Sequence, residues 1–567
     1  MSRSLRALAF LQLLPVGLLA AQQSISPTWP FTDSTRVVQA AKSMVVSGSP
    51  IASEVGRDIM AQGGNAVDAA VAVGFALTVV HPEAGNIGGG GFMVIRLASG
   101  QAYTLDYRET APGKARRDMY VGPDGKPTDR SWTGHLAVGV PGSVAGLAEA
   151  HRRFGKLPWA AVIEPAIRLA RDGFVVDEFR HGAIESDSAR LARFKGSAAH
   201  FLPGGAPPAV GTTWKQPDLA RTLEMIRDRG AAGFYQGPVA REIVAEMKRG
   251  GGIVTQRDLA RYRAIWRKPL ETTYRGYTIF SMPPSSSGGV TLALILNIME
   301  GYDPLPPFGS AALMHRETEA MRRAFKERNA ALGDPAFVTN PVARMISKAH
   351  AAKLRADIDL EHASESAPVT SLKDGPSTTH YSVVDAEGNA VSTTTTLNNG
   401  FGSAVTVTGA GFLLNDEMDD FTTAPGKPNN YGLVQGAANA IAPGKRMLSA
   451  MTPSIVLDPA GKLFMVLGTP GGPTIITQVY HVISNVVDHH MDLAHAVAMP
   501  RLHHQSLPDQ IFVERDGFQP EAIAELERMG HKVTARGYMG DVEAIIRTET
   551  GWLGASDPRR GGGGAGQ

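Results

Sequence analysis

Thr378-Thr379-His380-Tyr381-Ser382-Val383-Val384-Asp385-Ala386-Glu387-Gly388-Asn389-Ala390-Val391-Ser392-Thr393-Thr394-Thr395-Thr396 is the stretch from which the fold is read. Two alternating, β-branched runs flank a Glu-Gly-Asn turn, which is the pattern of a β-hairpin. The preceding loop, Asp374-Gly375-Pro376-Ser377, is polar and rich in breakers, so the first strand begins abruptly at Thr378. A threonine hydroxyl is a weak nucleophile without a base beside it. One solution is the threonine's own α-amine, which requires the threonine to be the first residue of a chain. That amine has a pKa of roughly 7.7–8.0, suited to a general base near neutral pH. Cleavage of the Ser377-Thr378 bond is therefore one reading of the stretch. An ordinary hydroxyl-rich hairpin is the other.

Composition narrows the classes of function. The 567 residues are 43% hydrophobic, enough for a substantial core, and the formal net charge of +2 gives no basis for a dedicated nucleic-acid surface. There is no cysteine, which excludes disulfides and thiolate-metal sites. Residues 1–21 read as a signal peptide: Arg3 and Arg6 precede an apolar run that ends in small residues. That run is short for a membrane span. An exported soluble protein, periplasmic or secreted, is the expectation.

Downstream of residue 47 helix and strand signals alternate. Residues 52–62 and 66–80 read as helices, the second almost wholly apolar, and 92–97 and 102–107 as strands. Gly88-Gly89-Gly90-Gly91 lacks the Lys-Ser/Thr ending of a phosphate loop, so close backbone packing is the better reading. Residues 142–359 read as mostly helical, with helices at 144–153, 159–171, 219–229, 239–248, 290–299 and 311–332. A strand is expected at 411–414, another at 463–467, and a helix at 473–487. Residues 364–377 form a Ser/Pro/Asp/Gly-rich connector, the one place where the sequence divides, into 22–377 and 378–567.

Four motifs follow in order: Thr378-Thr379-His380-Tyr381, Thr394-Thr395-Thr396-Leu397-Asn398, Leu414-Asn415-Asp416-Glu417-Met418-Asp419-Asp420-Phe421 and Gly468-Thr469-Pro470-Gly471-Gly472. With Gly88 to Phe92, Tyr107-Arg108-Glu109 and Met282-Pro283-Pro284-Ser285-Ser286-Ser287-Gly288-Gly289 upstream, the chain resembles the gamma-glutamyltransferase (gamma-glutamyltranspeptidase) family of N-terminal-nucleophile hydrolases. The resemblance implies a four-layer αββα sandwich. It also implies a precursor that cuts itself into a large subunit (22–377) and a small subunit (378–567), which stay together as a heterodimer. It requires no cofactor and no metal.

By that resemblance Thr378 is nucleophile and base, Thr396 orients it, and Gly471 and Gly472 form the oxyanion hole. Arg108 and Ser449 would hold the α-carboxylate of a γ-glutamyl donor, while Asn398, Glu417 and Asp420 hold its α-ammonium. Family members carry a second serine where this chain has Ala450, so one hydroxyl is lost and only the backbone N–H remains. The loop Pro425 to Gly432 resembles a lid, with Tyr431 closing the pocket. Glutathione and similar γ-glutamyl amides are the implied donors, and water, amino acids or peptides the acceptors. Three alternatives stand beside this reading. One is a related glutaryl or cephalosporin acylase. Another is a metal-dependent hydrolase using His481, His489, His490, His495, His503 and His504, although no His-Glu-x-x-His motif is present. The third is an inactive exported binding protein.

Overall fold

The hairpin lies at the centre of the molecule. In the computed structural model, which describes residues 25–366, 378–424 and 426–567, Thr378–Val384 pairs antiparallel with Ala390–Thr396, and Thr378 stands opposite Thr396. The turn between them is drawn in by Asp385, whose carboxylate accepts the N–H groups of Glu387 and Asn389. Its second oxygen accepts the N–H of Ala66 at 2.9 Å and so caps the helix Ala66–Val80. The N-cap residue itself is Asn65, whose side chain accepts the Val67 and Asp68 N–H groups; an N-cap contributes about 1 kcal/mol. The signal segment and the Ser377-Thr378 bond lie outside the described residues.

Two seven-stranded antiparallel sheets stack on each other. The first runs Gly563–Gly566, Met44–Ser47, Thr378–Val384, Ala390–Thr396, Gly90–Arg96, Ala102–Asp106, Ile265–Arg267. The second runs Arg36–Ala40, Gly551–Ser556, Glu543–Thr548, Leu463–Gly468, Ser454–Leu457, Tyr277–Ser281, Leu270–Tyr274. Between them lies an apolar layer that includes Met44, Val46, Val94, Ile455, Val466 and Ile545. Ser382 and Ser392 cross that layer, donating to the carbonyls of Glu543 and Leu467.

Helices cover the outer faces. Ala66–Val80, buried along its whole length, packs on the first sheet together with Pro50–Ala61 and Ser143–Phe154, and Trp159–Asp172 packs against Ala66–Val80. Gly288–Met299 and Thr474–Val487 cover the second, and Ala311–Ala331 packs against Gly288–Met299. The result is the expected four-layer αββα sandwich.

The segment read as mostly helical also contributes the edge strands Ile265–Arg267, Leu270–Tyr274 and Tyr277–Ser281. The strand expected at 411–414 does not form. Gly409 and Gly411 take positive φ, and only an isolated bridge joins Thr406 to Leu413. No helix among the described residues is long and apolar enough to cross a membrane.

Gly88 to Gly91 pack backbone on backbone. A Cβ on Gly89 would sit 2.1 Å from the Thr396 carbonyl oxygen, and one on Gly88 1.9 Å from that of Leu413. Gly89→Ala is therefore expected to force the central strands apart and cost at least about 1–3 kcal/mol, as overpacking does. The thermal midpoint should drop by several degrees. An unchanged midpoint would contradict the close approach.

Candidate active site

The Thr378 side chain points into a chamber at the end of the central strands, lined also by Arg108, Arg328, Thr396, Asn398, Glu417, Asp420, Tyr431, Ser449, Ala450 and Gly472. Thr378 Oγ1 lies 3.2 Å from Thr396 Oγ1, which accepts the Asn398 N–H at 2.8 Å. Asn398 sits at positive φ and donates through Nδ2 to the Asp416 carbonyl, which turns the chain sharply away from the sheet.

Arg108 follows the strand Ala102–Asp106 and is almost fully buried. Its Nη1 is 2.6 Å from Glu417 Oε2 and 3.5 Å from Glu109 Oε2, its Nη2 is paired with Asp420, and its Nε donates to the Met447 carbonyl. Three carboxyl groups thus crowd one guanidinium. Burial pushes Glu417 well above the ordinary carboxylate range and Glu109 up to about 8, with Arg108 opposing both shifts. Burial also raises Asp420, against Arg108 and Arg328. Burial disfavours the charge on Arg108 in turn, but Glu417 and Asp420 outweigh it and raise its pKa.

The acidic run is held from behind by residues to which the sequence reading gave no role. Asn415 donates to the carbonyls of Gly88 and Gly139 and accepts the Glu417 N–H. Asp416, pushed up to about 8 by burial, accepts the Asn399 N–H at 2.9 Å and the Asn399 side-chain amide. Asp419, pushed up to about 6 by burial, accepts from Ser131 Oγ at 2.7 Å and from the Asn430 N–H at 3.0 Å. The only hint in the sequence is that Asp416 and Asp419 each precede an assigned acid; which way they point is set by packing.

Ser449 is fixed by its backbone, which exchanges hydrogen bonds with Ser285 and Ser287 of the Pro-Pro-Ser-Ser-Ser segment. Its hydroxyl accepts the Met451 N–H at 3.1 Å. Gly471 and Gly472 precede the helix Thr474–Val487, both at positive φ. Neither N–H has a hydrogen-bond partner among the described residues. Gly472 borders the chamber, and Gly471 lies behind it against Thr474 and Gln478.

Tyr431 closes the top. Its hydroxyl donates to the Asn398 carbonyl at 2.7 Å, and Gln505 donates to its carbonyl. Asn430 and Asn399 are bridged at 2.8 Å and face a further cavity of about 610 Å³. Inside the chamber the free space is about 20 Å³, close to the volume that one water centre needs. Entry of a substrate therefore requires side chains that line the chamber to move.

The six histidines do not converge. His503 is engaged by Thr477 and Gln505, His504 by Asp509 and His495 by Asp492. Among the described residues the group of side chains that could hold a metal is His315, Glu319 and His531, none of them from that stretch. Glu319 is already paired with Arg322 and Arg323.

A four-layer αββα sandwich with a threonine heading a central strand, at the mouth of such a chamber, defines an N-terminal-nucleophile hydrolase. The sequence profile of Gamma-glutamyltranspeptidase matches residues 52–567. The chain belongs to the gamma-glutamyltranspeptidase family, as an enzyme of γ-glutamyl transfer and hydrolysis. It is 46% identical over 530 residues to the glutathione hydrolase proenzyme of Escherichia coli (strain K12), covering 92% of this chain and 91% of that one. It is 41% identical to the acylase ACY 1 proenzyme of Pseudomonas sp. (strain SE83), covering 92% and 93%. The crystal structure of cephalosporin acylase from Bacillus halodurans superposes with a TM-score of 0.84 at 28% identity, covering 95% and 98%.

A Cβ on Gly472 would stand 2.8 Å from Tyr431 Cδ1, at a φ of 56° that L side chains rarely adopt. Gly472→Ala should lift the ring and speed amide hydrogen exchange across residues 429–432 severalfold. Unchanged exchange there would contradict this packing.

Proposed function

We propose that this chain is the precursor of an exported enzyme that cuts itself before Thr378 and then uses Thr378 to accept the γ-glutamyl group of glutathione-like amides. The observation that carries the reading is the position of Thr378 Oγ1. It heads a central strand, lies 3.2 Å from Thr396 Oγ1, and faces a chamber that holds both an arginine and an acidic pair. In the precursor the Thr378 hydroxyl attacks the carbonyl of the preceding residue, and water hydrolyses the resulting ester. In the mature enzyme the proton of the hydroxyl passes to the free α-amine as Oγ1 attacks the γ-amide carbon. That proton then goes to the departing amine, and water or an acceptor amine reverses the sequence to release the acyl group.

Thr396 orients the hydroxyl, and the N–H groups of Gly471 and Gly472 receive the oxyanion. Loss of one such donor typically costs about 2.7–4 kcal/mol in the barrier. The donor's α-carboxylate displaces the acids from Arg108 and takes the Ser449 hydroxyl and the Ala450 N–H. Its α-ammonium takes Asn398, Glu417 and Asp420. Tyr431 closes over the acyl-enzyme, and amines enter and leave on the side of Asn399 and Asn430. The two fragments remain one heterodimer, and the periplasm or the exterior is the place of action.

A glutaryl donor, as in the acylase alternative, is the competing substrate, and acylases stand among the relatives. Glutaryl amides have no ammonium, so Glu417 and Asp420 would be left without a cationic partner from the substrate, which favours the γ-glutamyl group.

Thr378→Ala should accumulate as a single inactive chain near 60.1 kDa less its leader, where the wild type gives two fragments on a denaturing gel. Normal cleavage in that variant would refute the role of Thr378. Ala450→Ser should lower KM for a γ-glutamyl anilide by about tenfold, since a charge-assisted hydrogen bond contributes roughly 1.5–3 kcal/mol. An unchanged or higher KM would count against the carboxylate assignment.

A further inference from the structure

Arg328, in the last turn of the helix Ala311–Ala331, is as buried as Arg108 and borders the same chamber, yet among the described residues no carboxylate lies within ion-pair distance of it; Asp420 acts on it only at longer range. Its Nε donates to Ser287 Oγ at 3.0 Å, and its Nη1 donates to Asn329 Oδ1 at 2.9 Å and Gln435 Oε1 at 2.7 Å. All three acceptors are neutral, and Nη2 has no partner among the described residues. Among the described residues the other arginine side chains buried to this degree are ion-paired: Arg108 with Glu417 and Asp420, Arg180 with Asp177, Arg501 with Asp557, and Arg559 with Glu514 and Asp557. Burial pulls Arg328 down only to about 10, with Asp420 opposing the shift, so it is charged at neutral pH. A buried cation with no anion in direct contact is costly unless another molecule supplies one.

Its position is fixed on the wall where the second serine hydroxyl is missing. Ser287 Oγ accepts from Arg328 and donates to the Ser449 carbonyl at 2.6 Å, and the Ser287 N–H donates to the same oxygen. The Pro283 to Gly289 segment is therefore a strut that ties the guanidinium to Ser449 and Ala450. On the other side Gln435 links Arg328 to the Asp420 carbonyl through its Nε2.

We propose that Arg328 is a specificity residue for the donor, the substrate's α-carboxylate being the anion that contacts it directly, with Ser287 as the positioning residue that aims it. The inference rests on the γ-glutamyl reading above. When the donor's ammonium takes Glu417 and Asp420, Arg108 is released to share the carboxylate with Arg328. Two guanidinium groups then grip the end that Ala450 has left short of one hydroxyl.

The test compares mature wild type, Arg328→Gln and Arg328→Lys on γ-glutamyl p-nitroanilide and on 4-aminobutyryl p-nitroanilide, the same donor without its α-carboxylate. For Arg328→Gln we expect KM for the first donor to rise about tenfold to a hundredfold with kcat changed less than about threefold, the mark of lost ground-state binding. KM for the second donor should not change, and Arg328→Lys should recover part of the loss. Equal changes with both donors would make Arg328 a structural counter-charge for Asp420 and overturn the proposal, as would an unchanged KM for the first. If Arg328→Gln does not mature, Ser287→Ala decides: a smaller rise confined to the first donor supports the proposal, and parity between donors overturns it. A wild type inactive on the first donor would defeat the γ-glutamyl reading itself, whereas an active wild type with an indifferent Arg328→Gln defeats only this inference.

Discussion

The antiparallel register that sets Thr378 opposite Thr396 is the constraint on which the site depends. It is held on both edges: Ala390–Thr396 pairs with Gly90–Arg96, and Thr378–Val384 with Met44–Ser47. A slip of one residue would turn Thr378 to the opposite face of the sheet. The glycine-rich entry to Gly90–Arg96 guards that register, because only backbone without side chains fits against the carbonyls of Thr396 and Leu413. The hydroxyl pair, the turn at Asn398 and the acidic run pinned by Asn415 all follow from this one alignment.

Electrostatics organise the rest of the chamber. Buried acids in this number are tolerable because each is either paired or partly neutral: Arg108 serves three of them, and burial pushes Glu109, Asp416 and Glu417 toward the protonated form. The cluster therefore holds itself together through an internal ion pair, which, on the reading proposed above, a dipolar ligand of matching shape replaces. Such an exchange keeps the number of buried charges balanced, which a ligand of single sign does not.

Much of this was legible in the sequence, for identifiable reasons. The hairpin is two β-branched runs about a Glu-Gly-Asn turn, and the helix Ala66–Val80 is apolar on every face, so its burial follows from composition. The segment 411–414 looked like a strand because it is apolar, but its glycines serve a turn, and four residues carry too little period to separate the two. The short edge strands between Ile265 and Ser281 were absorbed into a helical region because neighbouring helices dominate the pattern there. The site motifs could be read as types, but the roles of Asp416, Asp419, Asn399 and Arg328 could not. Those depend on which neighbour each side chain meets across hundreds of residues of chain.

The order of strands in the first sheet has a further consequence. Reading across it, segments from before and after residue 377 interleave: one from the C-terminal end, one from near the start, the hairpin, then three from the first half. Asp385 moreover caps a helix that belongs to the earlier part. A division in sequence is therefore no division in space. Neither portion owns a complete hydrophobic layer, so a nick at their junction leaves the pieces interlocked like the fingers of two hands, and each must have been shaped in the presence of the other.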